Sequence, residues 1–239
     1  MLKLIHADFY KTFHRAAYYL ILFIFCGFAI TIAVQMRGRD AGSWSGSFLA
    51  ASQLLIYPVA FLPIITQITL GEEYREHTVK NTLAFGTNRC LLFCSKWVST
   101  VLLGLLLTAA VFAAFFGSAA LALPRDVQFS QKLVTDFFAR LGAACVVYVA
   151  AATMSLFFLV VFNRNTLAIF LYYGAYYFTE LLLMLFHLNG GNKYLLQTQL
   201  KGIAGDPVPN LQKAMVISAV TMAAFFVAGV FASRRKDLI

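Results

Sequence analysis

The sequence predicts an all-α integral membrane protein with six transmembrane helices, and three observations predict it. Its 239 residues are 61% hydrophobic and only 12% charged, with 24 Phe and a mean hydropathy of +0.77, too apolar for a water-soluble domain of this size. Runs with almost no charge, as long as the ~20 residues a helix needs to cross a ~30 Å hydrocarbon core, recur six times. Ten-residue segments of alternating hydrophobicity are missing, so the runs read as helices and not as the strands of a barrel.

Residues 1–15 form the first element. Leu2, Ile5, Phe9 and Phe13 recur at helical spacing, with Lys3, Asp8 and Lys11 mostly elsewhere, which predicts a short amphipathic helix lying along the membrane surface. Such a helix serves as an interfacial anchor or as a partner contact. Span one covers 16–36. Its apolar run is as long as a full crossing and has no small-x-small cleavage site at its end, so it is expected to stay as an anchor.

Span two covers 43–71 of the uncharged run that begins at Ala41, and it contains Pro58 and Pro63. Each proline removes a backbone donor, so a bent helix is expected, with neighbouring groups taking up the freed carbonyls. Residues 72–96 follow as a polar segment that cannot lie in lipid and must face water. Span three covers 97–124, where Ala109, Ala113 and Gly117 make a small-xxx-small stripe that permits close helix packing.

Spans four and five cover 141–163 and 165–187, joined by the tight turn Asn163-Arg164-Asn165. Glu180 is a lone carboxylate inside the fifth run, where burial in lipid is costly and a cavity or a partner is expected. Tyr172, Tyr173, Tyr176 and Tyr177 precede it as a hydroxyl-rich face that either lines a translocation path with Glu180 or packs. Between 188 and 213, Tyr194, Leu195, Leu196, Leu200 and Ile203 predict a short helix at the outer surface, ended by Gly205-Asp206-Pro207-Val208-Pro209. Span six covers 214–233.

Lys3, Lys11 and Arg15 ahead of span one favour a cytoplasmic N-terminus, and six spans return Arg234, Arg235 and Lys236 to the same side. That orientation places 11 Lys and Arg inside against 8 outside. Basic residues flanking spans account for the net charge of +9 without a nucleic-acid partner. Of the four cysteines, Cys26 and Cys145 fall within spans, and Cys90 and Cys94 lack further ligands at metal spacing, so no metal site is expected.

No Gly-x-x-x-x-Gly-Lys-Ser/Thr loop is present, so an energy source in this chain is not expected. Glu72-Glu73 superficially resembles the paired glutamates of prenyl-protein-type membrane proteases, but their arginine would fall at 77, where His77 stands, and the only later histidine is His187. Neither a Gly-x-Ser-x-Gly elbow nor a His-Glu-x-x-His helix occurs.

The polar segment carries a more specific likeness. Glu73-Tyr74-x-x-x-Thr78-Val79-Lys80-x-x-Leu83-x-x-Gly86-x-x-Arg89, with Ser95-Lys96 leading into span three, resembles the loop between spans two and three of ABC-2-type transporter permeases. The opening Leu2-Lys3-Leu4-Ile5-x-Ala7-Asp8-Phe9-Tyr10-Lys11 is similar to the N-terminus of that family, most of all to permeases of bacitracin and lantibiotic export and self-immunity. His77 departs from it, since many relatives have Gly before the Thr.

The resemblance implies that the segment forms a cytoplasmic coupling helix seated in a separately encoded ATPase, with Glu72, Glu73, Tyr74, Arg75, Thr78, Lys80, Leu83, Arg89 and Lys96 as the coupling residues. Glu72, Glu73 and Glu76 early and Lys80 later would complement a helix dipole, so a helix is plausible there on charge alone; the alternative is a solvated loop. It further implies two ATPase copies that bind ATP and Mg, no cofactor in this chain, a second permease, identical or similar, and residence in the plasma membrane of a bacterium. An amphipathic substrate, an antimicrobial peptide or a lipid-like molecule, suits aromatic and apolar faces with few charges. A substrate-capture subunit of a vitamin uptake system is the rival, being six-spanning and equally without an ATP site.

Overall fold

The computed structural model describes residues 1–38, 42–75, 88–124, 129–162, 164–186 and 191–235. Every regular element among them is helical. Helix α1, Leu2–Phe13, is followed by α2, Ala16–Gln35. Next come α3, Trp44–Leu54, and α4, Tyr57–Arg75; α5 is Arg89–Ala122 and α6 is Gln131–Phe162. Last are α7, Asn165–Leu185, then α8, Leu196–Gly205, and α9, Leu211–Arg235. Five of these are long and apolar enough to cross a membrane, and α3 with α4, bent by 41° at the break between them, counts as a sixth when the pair is taken as one span.

That bend follows from the prolines. Pro58 lies in the 3₁₀ turn Tyr57–Phe61 that opens α4, and Pro63 near the start of the next turn. A proline lacks the N–H that would bond to the carbonyl three or four residues earlier, so Pro58 leaves a donor missing at Leu55 and Pro63 one at the turn of Val59 and Ala60. Three tyrosines replace it. Tyr148 Oη donates to Leu55 O at 2.6 Å, Tyr172 Oη to Val59 O at 3.0 Å and Tyr173 Oη to Ala60 O at 2.6 Å. In lipid an unsatisfied carbonyl costs several kcal/mol, so these hydroxyls are what permits the kink.

The core is built round α6, which packs along α9 and against α3, α4, α5, α7 and α8. Its buried Ala143, Ala144, Ala150, Ala151 and Ala152 let neighbouring backbones approach. On α5 the close approach is at Gly104, where an added Cβ would stand 2.8 Å from Leu62 Cδ2. The stripe Ala109, Ala113 and Gly117 instead faces the outside of the molecule. Around Phe48, Phe116 and Phe137 an aromatic cluster fills the end of the bundle near the start of α3, with ring centroids 5.1 to 6.1 Å apart.

Two helices begin well before the apolar runs that were read as spans. Span three was expected from 97, yet α5 starts at Arg89, where the Asn88 side chain accepts from Cys90 N and caps the helix. Span four was expected from 141, yet α6 starts at Gln131. In both cases the charge that closed the apolar run, Lys96 or Arg140, lies within the helix and is buried.

Candidate functional site

At the end of the bundle where α1 lies, α4 finishes and α5 begins, and α1 crosses both. Its buried residues are polar: Asp8 and Thr12. The apolar positions face otherwise than in a soluble amphipathic helix. Leu2 is 83% exposed and Phe13 also lies at the surface, while Ile5 and Phe9 are half-buried. Leu2 and Phe13 at the two ends of α1 thus face outward, while Asp8 and Thr12 in its middle grip the protein.

What Asp8 meets is Lys96. The ammonium, 2% exposed, donates to Asp8 Oδ1 at 2.6 Å, to Glu73 Oε1 at 2.6 Å and to the Thr69 carbonyl at 3.2 Å, so all three of its protons are taken. Ser99 Oγ donates to the other Asp8 oxygen at 2.9 Å. Lys11 reaches Glu73 Oε1 from the rim at 2.9 Å, and Arg15 pairs with Glu72. Two carboxylates and two ammonium groups from α1, α4 and α5 thus form one junction, balanced in charge. Burial pushes the Asp8 carboxyl above its ordinary value, against the pull of Lys96 and Ser99.

The backbone beside the junction is unusual. Gln67–Gly71 is a π-helical turn, and its Thr69 carbonyl is the one that Lys96 takes up while Thr69 Oγ1 bonds Thr100 Oγ1 at 2.9 Å. At Gly71 the chain comes close to α7: a Cβ there would meet the end of the Asn165 side chain at 2.8 Å. Gln67 Nε2 donates to Asn165 O at 3.0 Å, so the start of α7 is fastened to the same turn.

The family model for ABC-2 family transporter proteins matches residues 4–179, which takes in α1, the junction and the segment between α4 and α5. The chain belongs to the ABC-2 transporter family. No curated protein matches it. An ABC-2 permease is the membrane transport subunit and carries no ATPase domain of its own.

Within this ABC-2 permease the expected coupling residues divide. Thr78, Lys80 and Leu83, with most of the expected coupling helix, lie outside the described residues. Glu72, Glu73, Tyr74 and Arg75 form the last turn of α4. Tyr74 packs against a cluster containing Leu70, Phe93 and Leu159, and Arg75 is exposed. Arg89 opens α5 and its guanidinium reaches the Arg234 carbonyl at 3.4 Å, tying the last helix to the same end. Lys96 requires a correction: it is not a water-facing loop residue but the buried centre of the junction, because its ammonium finds three acceptors within its own chain.

The residues expected either to line a translocation path or to pack have partners within the chain. Tyr172, 0% exposed, and Tyr173 direct their hydroxyls to the kinked α4 and so brace it. Tyr176 is buried and stacked on Tyr172, and Tyr177 is half-buried. Glu180 is not alone. Lys201 of α8 bonds its Oε2 at 2.6 Å, and the Gln197 amide, turned so that its nitrogen faces acceptors, joins Glu180 to the Tyr176 carbonyl of the π-helical turn Gly174–Phe178.

Sequence reasoning missed Asp8, Ser99 and Arg140. Arg140 bonds Asp136 Oδ2 at 2.8 Å and the carbonyls of Ile203, Asp206 and Pro207 at 2.8, 2.9 and 3.3 Å, closing the C-terminal end of α8. A signal existed for Asp8: it is the one acidic residue in the first fifteen and sits four before Thr12, a polar pair at helical spacing. Among the described residues no three His, Cys, Asp or Glu side chains gather as a metal site would need.

Proposed function

We propose that this ABC-2 permease is half of an exporter driven by two copies of a separate ATPase that binds ATP and Mg, with the α1 end of the bundle facing the cytoplasm of a bacterium. The observation that carries this is the Lys96 junction. It joins the surface helix α1, the end of α4 and the start of α5 directly beside residues 76–87, the segment whose sequence resembles an ATPase-coupling helix. A force applied to that segment reaches α4 and α5 together, and the kinked α4, held by three tyrosine hydroxyls, carries it into the core.

The second permease is an identical or similar chain. The cargo is an amphipathic molecule, an antimicrobial peptide of the bacitracin or lantibiotic kind or a lipid-like compound, which suits an apolar exterior. Purification of the tagged chain from its native membrane tests the reading: an ATPase subunit is expected to copurify, with hydrolysis stimulated by such peptides or lipids. Charge reversal at Lys80 or Arg89 is expected to separate hydrolysis from export while leaving insertion intact. Retention of a small vitamin by the chain alone, with no ATPase bound, would instead establish the capture-subunit reading.

A further inference from the structure

Between α6, α7 and α9, at the N-terminal end of α8, lies a cavity of about 240 Å³ that the junction does not use. Its lining changes in character along its length. Ala175 on α7 and Phe225 on α9 stand one turn nearer the α1 end than Thr179 and Thr221, so the wall is apolar on that side, where Met154 of α6 joins it, and hydroxyl-bearing on the other. Ala175 is ten residues into α7 and Phe225 ten from the end of α9, each roughly 15 Å at ~1.5 Å per residue. The apolar side therefore reaches about the middle of a ~30 Å hydrocarbon core. Tyr194, 67% exposed, links the cavity to the surface.

The hydroxyl-bearing side is built to receive a donor. Thr179 Oγ1 gives its proton to Ala175 O at 2.7 Å and Thr221 Oγ1 gives its own to Ile217 O at 2.8 Å, so towards a ligand both oxygens can only accept. The Gln197 amide, which also lines the cavity, is committed to Tyr176 O, Glu180 and Lys201. Two buried hydroxyls on the same elements, Tyr176 Oη on α7 and Ser218 Oγ on α9, have no hydrogen-bond partner. Tyr176 is itself part of the wall, and Ser218 shares a helix face with Thr221 and Phe225.

We infer that this cavity binds a single-chain lipid whose polar end is a hydroxyl, the monoacylglycerol class, with the chain against Met154, Ala175 and Phe225 and the hydroxyl at Thr179 and Thr221. Size supports one chain. The cavity is larger than the ~150 Å³ that takes up benzene and smaller than the ~300–1,000 Å³ of pockets for drug-sized ligands. Chemistry selects the polar end, because an ionised carboxylate has no proton to give to the two threonine oxygens, whereas a hydroxyl donates to them and can also accept. This inference goes beyond the export reading and does not rest on it, since binding is read with no ATPase present.

The test is photolabelling of the full-length protein in phosphatidylcholine nanodiscs with octanol that carries a diazirine on its chain. Saturable labelling around Met154, Ala175 and Phe225 is expected. Monooctanoylglycerol is expected to displace the label at a membrane concentration on the order of tenfold lower than octanoate kept ionised in alkaline buffer, the scale of one buried hydrogen bond left unmade. That comparison needs only the wild type. Thr179→Val/Thr221→Val, which keeps the side-chain shape and removes both acceptors, is expected to bring the two competitors to parity. Ala175→Leu, which fills the apolar side, is expected to abolish saturable labelling. Labelling that never saturates, as from a cavity holding water alone, label confined to other segments, equal displacement by octanoate in wild type, or a preference that survives in the double valine variant would each overturn the assignment.

Discussion

Lys96 and Arg140 occupy matching places at opposite ends of the bundle and are held in different ways. Each is a buried cation in the first turns of a long helix, and each gathers elements distant in sequence. Lys96 is held mainly by charge, between the carboxylates of Asp8 and Glu73. Arg140 is held mainly by dipoles: three backbone carbonyls at the end of α8, with a single half-exposed carboxylate, Asp136. The difference teaches that the α1 end is an ionic joint whose parts can be separated by removing one charge. At the α8 end, a clamp made mainly of backbone dipoles fixes a short helix in place.

The largest effect is expected at the joint. Lys96→Met leaves Asp8 and Glu73 buried side by side and should destabilise the protein by about 3–5 kcal/mol. The expected readout is a lower melting temperature together with protease cleavage near residue 14. Asp8→Asn should cost less, since burial already disfavours the charged carboxyl. Equal losses from the two variants would erase the distinction between an ammonium-centred joint and a symmetric pair.

Next comes the clamp. Arg140→Met strips the donors from three carbonyls, of which that of the buried Ile203 should cost about 1–3 kcal/mol and those of the exposed Asp206 and Pro207 less. Faster hydrogen exchange confined to α8 and residues 206–210 is expected, with α1 unchanged. Spread of that exchange to α1 would show that the two ends are not independent.

Tyr172→Phe tests what joins the ends. It orphans the Val59 carbonyl at the kink, worth about 1–3 kcal/mol, and a fall in melting temperature without loss of insertion is expected. Smaller still is Lys201→Gln, which removes a pair whose lysine is 46% exposed and which should matter by less than about 1 kcal/mol.

Acidity sharpens the comparison further. The Asp8 carboxyl binds its proton more tightly folded than unfolded, so its contribution to stability is fully present below the ordinary value of 3.8 and is lost as pH rises through the raised folded value. Glu73 has the opposite sign: against the cost of burial, Lys96 and Lys11 hold its carboxyl below the ordinary value, so its contribution is lost as pH falls through that lowered folded value. Mild acidification that stays above it should therefore tighten α1 docking in wild type, and Asp8→Asn should flatten that dependence. Exchange at α8, held mainly by backbone carbonyls, should not follow it.

How much of this was legible before the structure depends on the range of the interaction. The membrane class, the helical runs and the kink at Pro58 and Pro63 are local properties of the chain. So is the short helix at 196–205, because Leu196, Leu200 and Ile203 repeat at helical spacing. Helices α5 and α6 run on past the apolar runs read from 97 and 141, because a single charge reads as the end of such a run. A charge with partners can lie inside the helix, and the farthest of those partners are 88 residues from Lys96 and 67 from Arg140. Tyr172 and Tyr173 were legible as a polar face but not as braces, since the carbonyls they satisfy are 113 residues away. Glu180 looked solitary for the same reason, with Lys201 on another helix.

The account turns on the joint moving as one body when the ATPase acts. Electron–electron distances between nitroxides at Tyr10 on α1 and Leu102 on α5, both exposed, measure this in the copurified complex after removal of the native cysteines. A single narrow distance that does not change between the nucleotide-free and ATP-bound states, and that broadens in Lys96→Met, is predicted. A wild-type distance that shifts on ATP binding would contradict the account, because α1 would then be moving apart from α5.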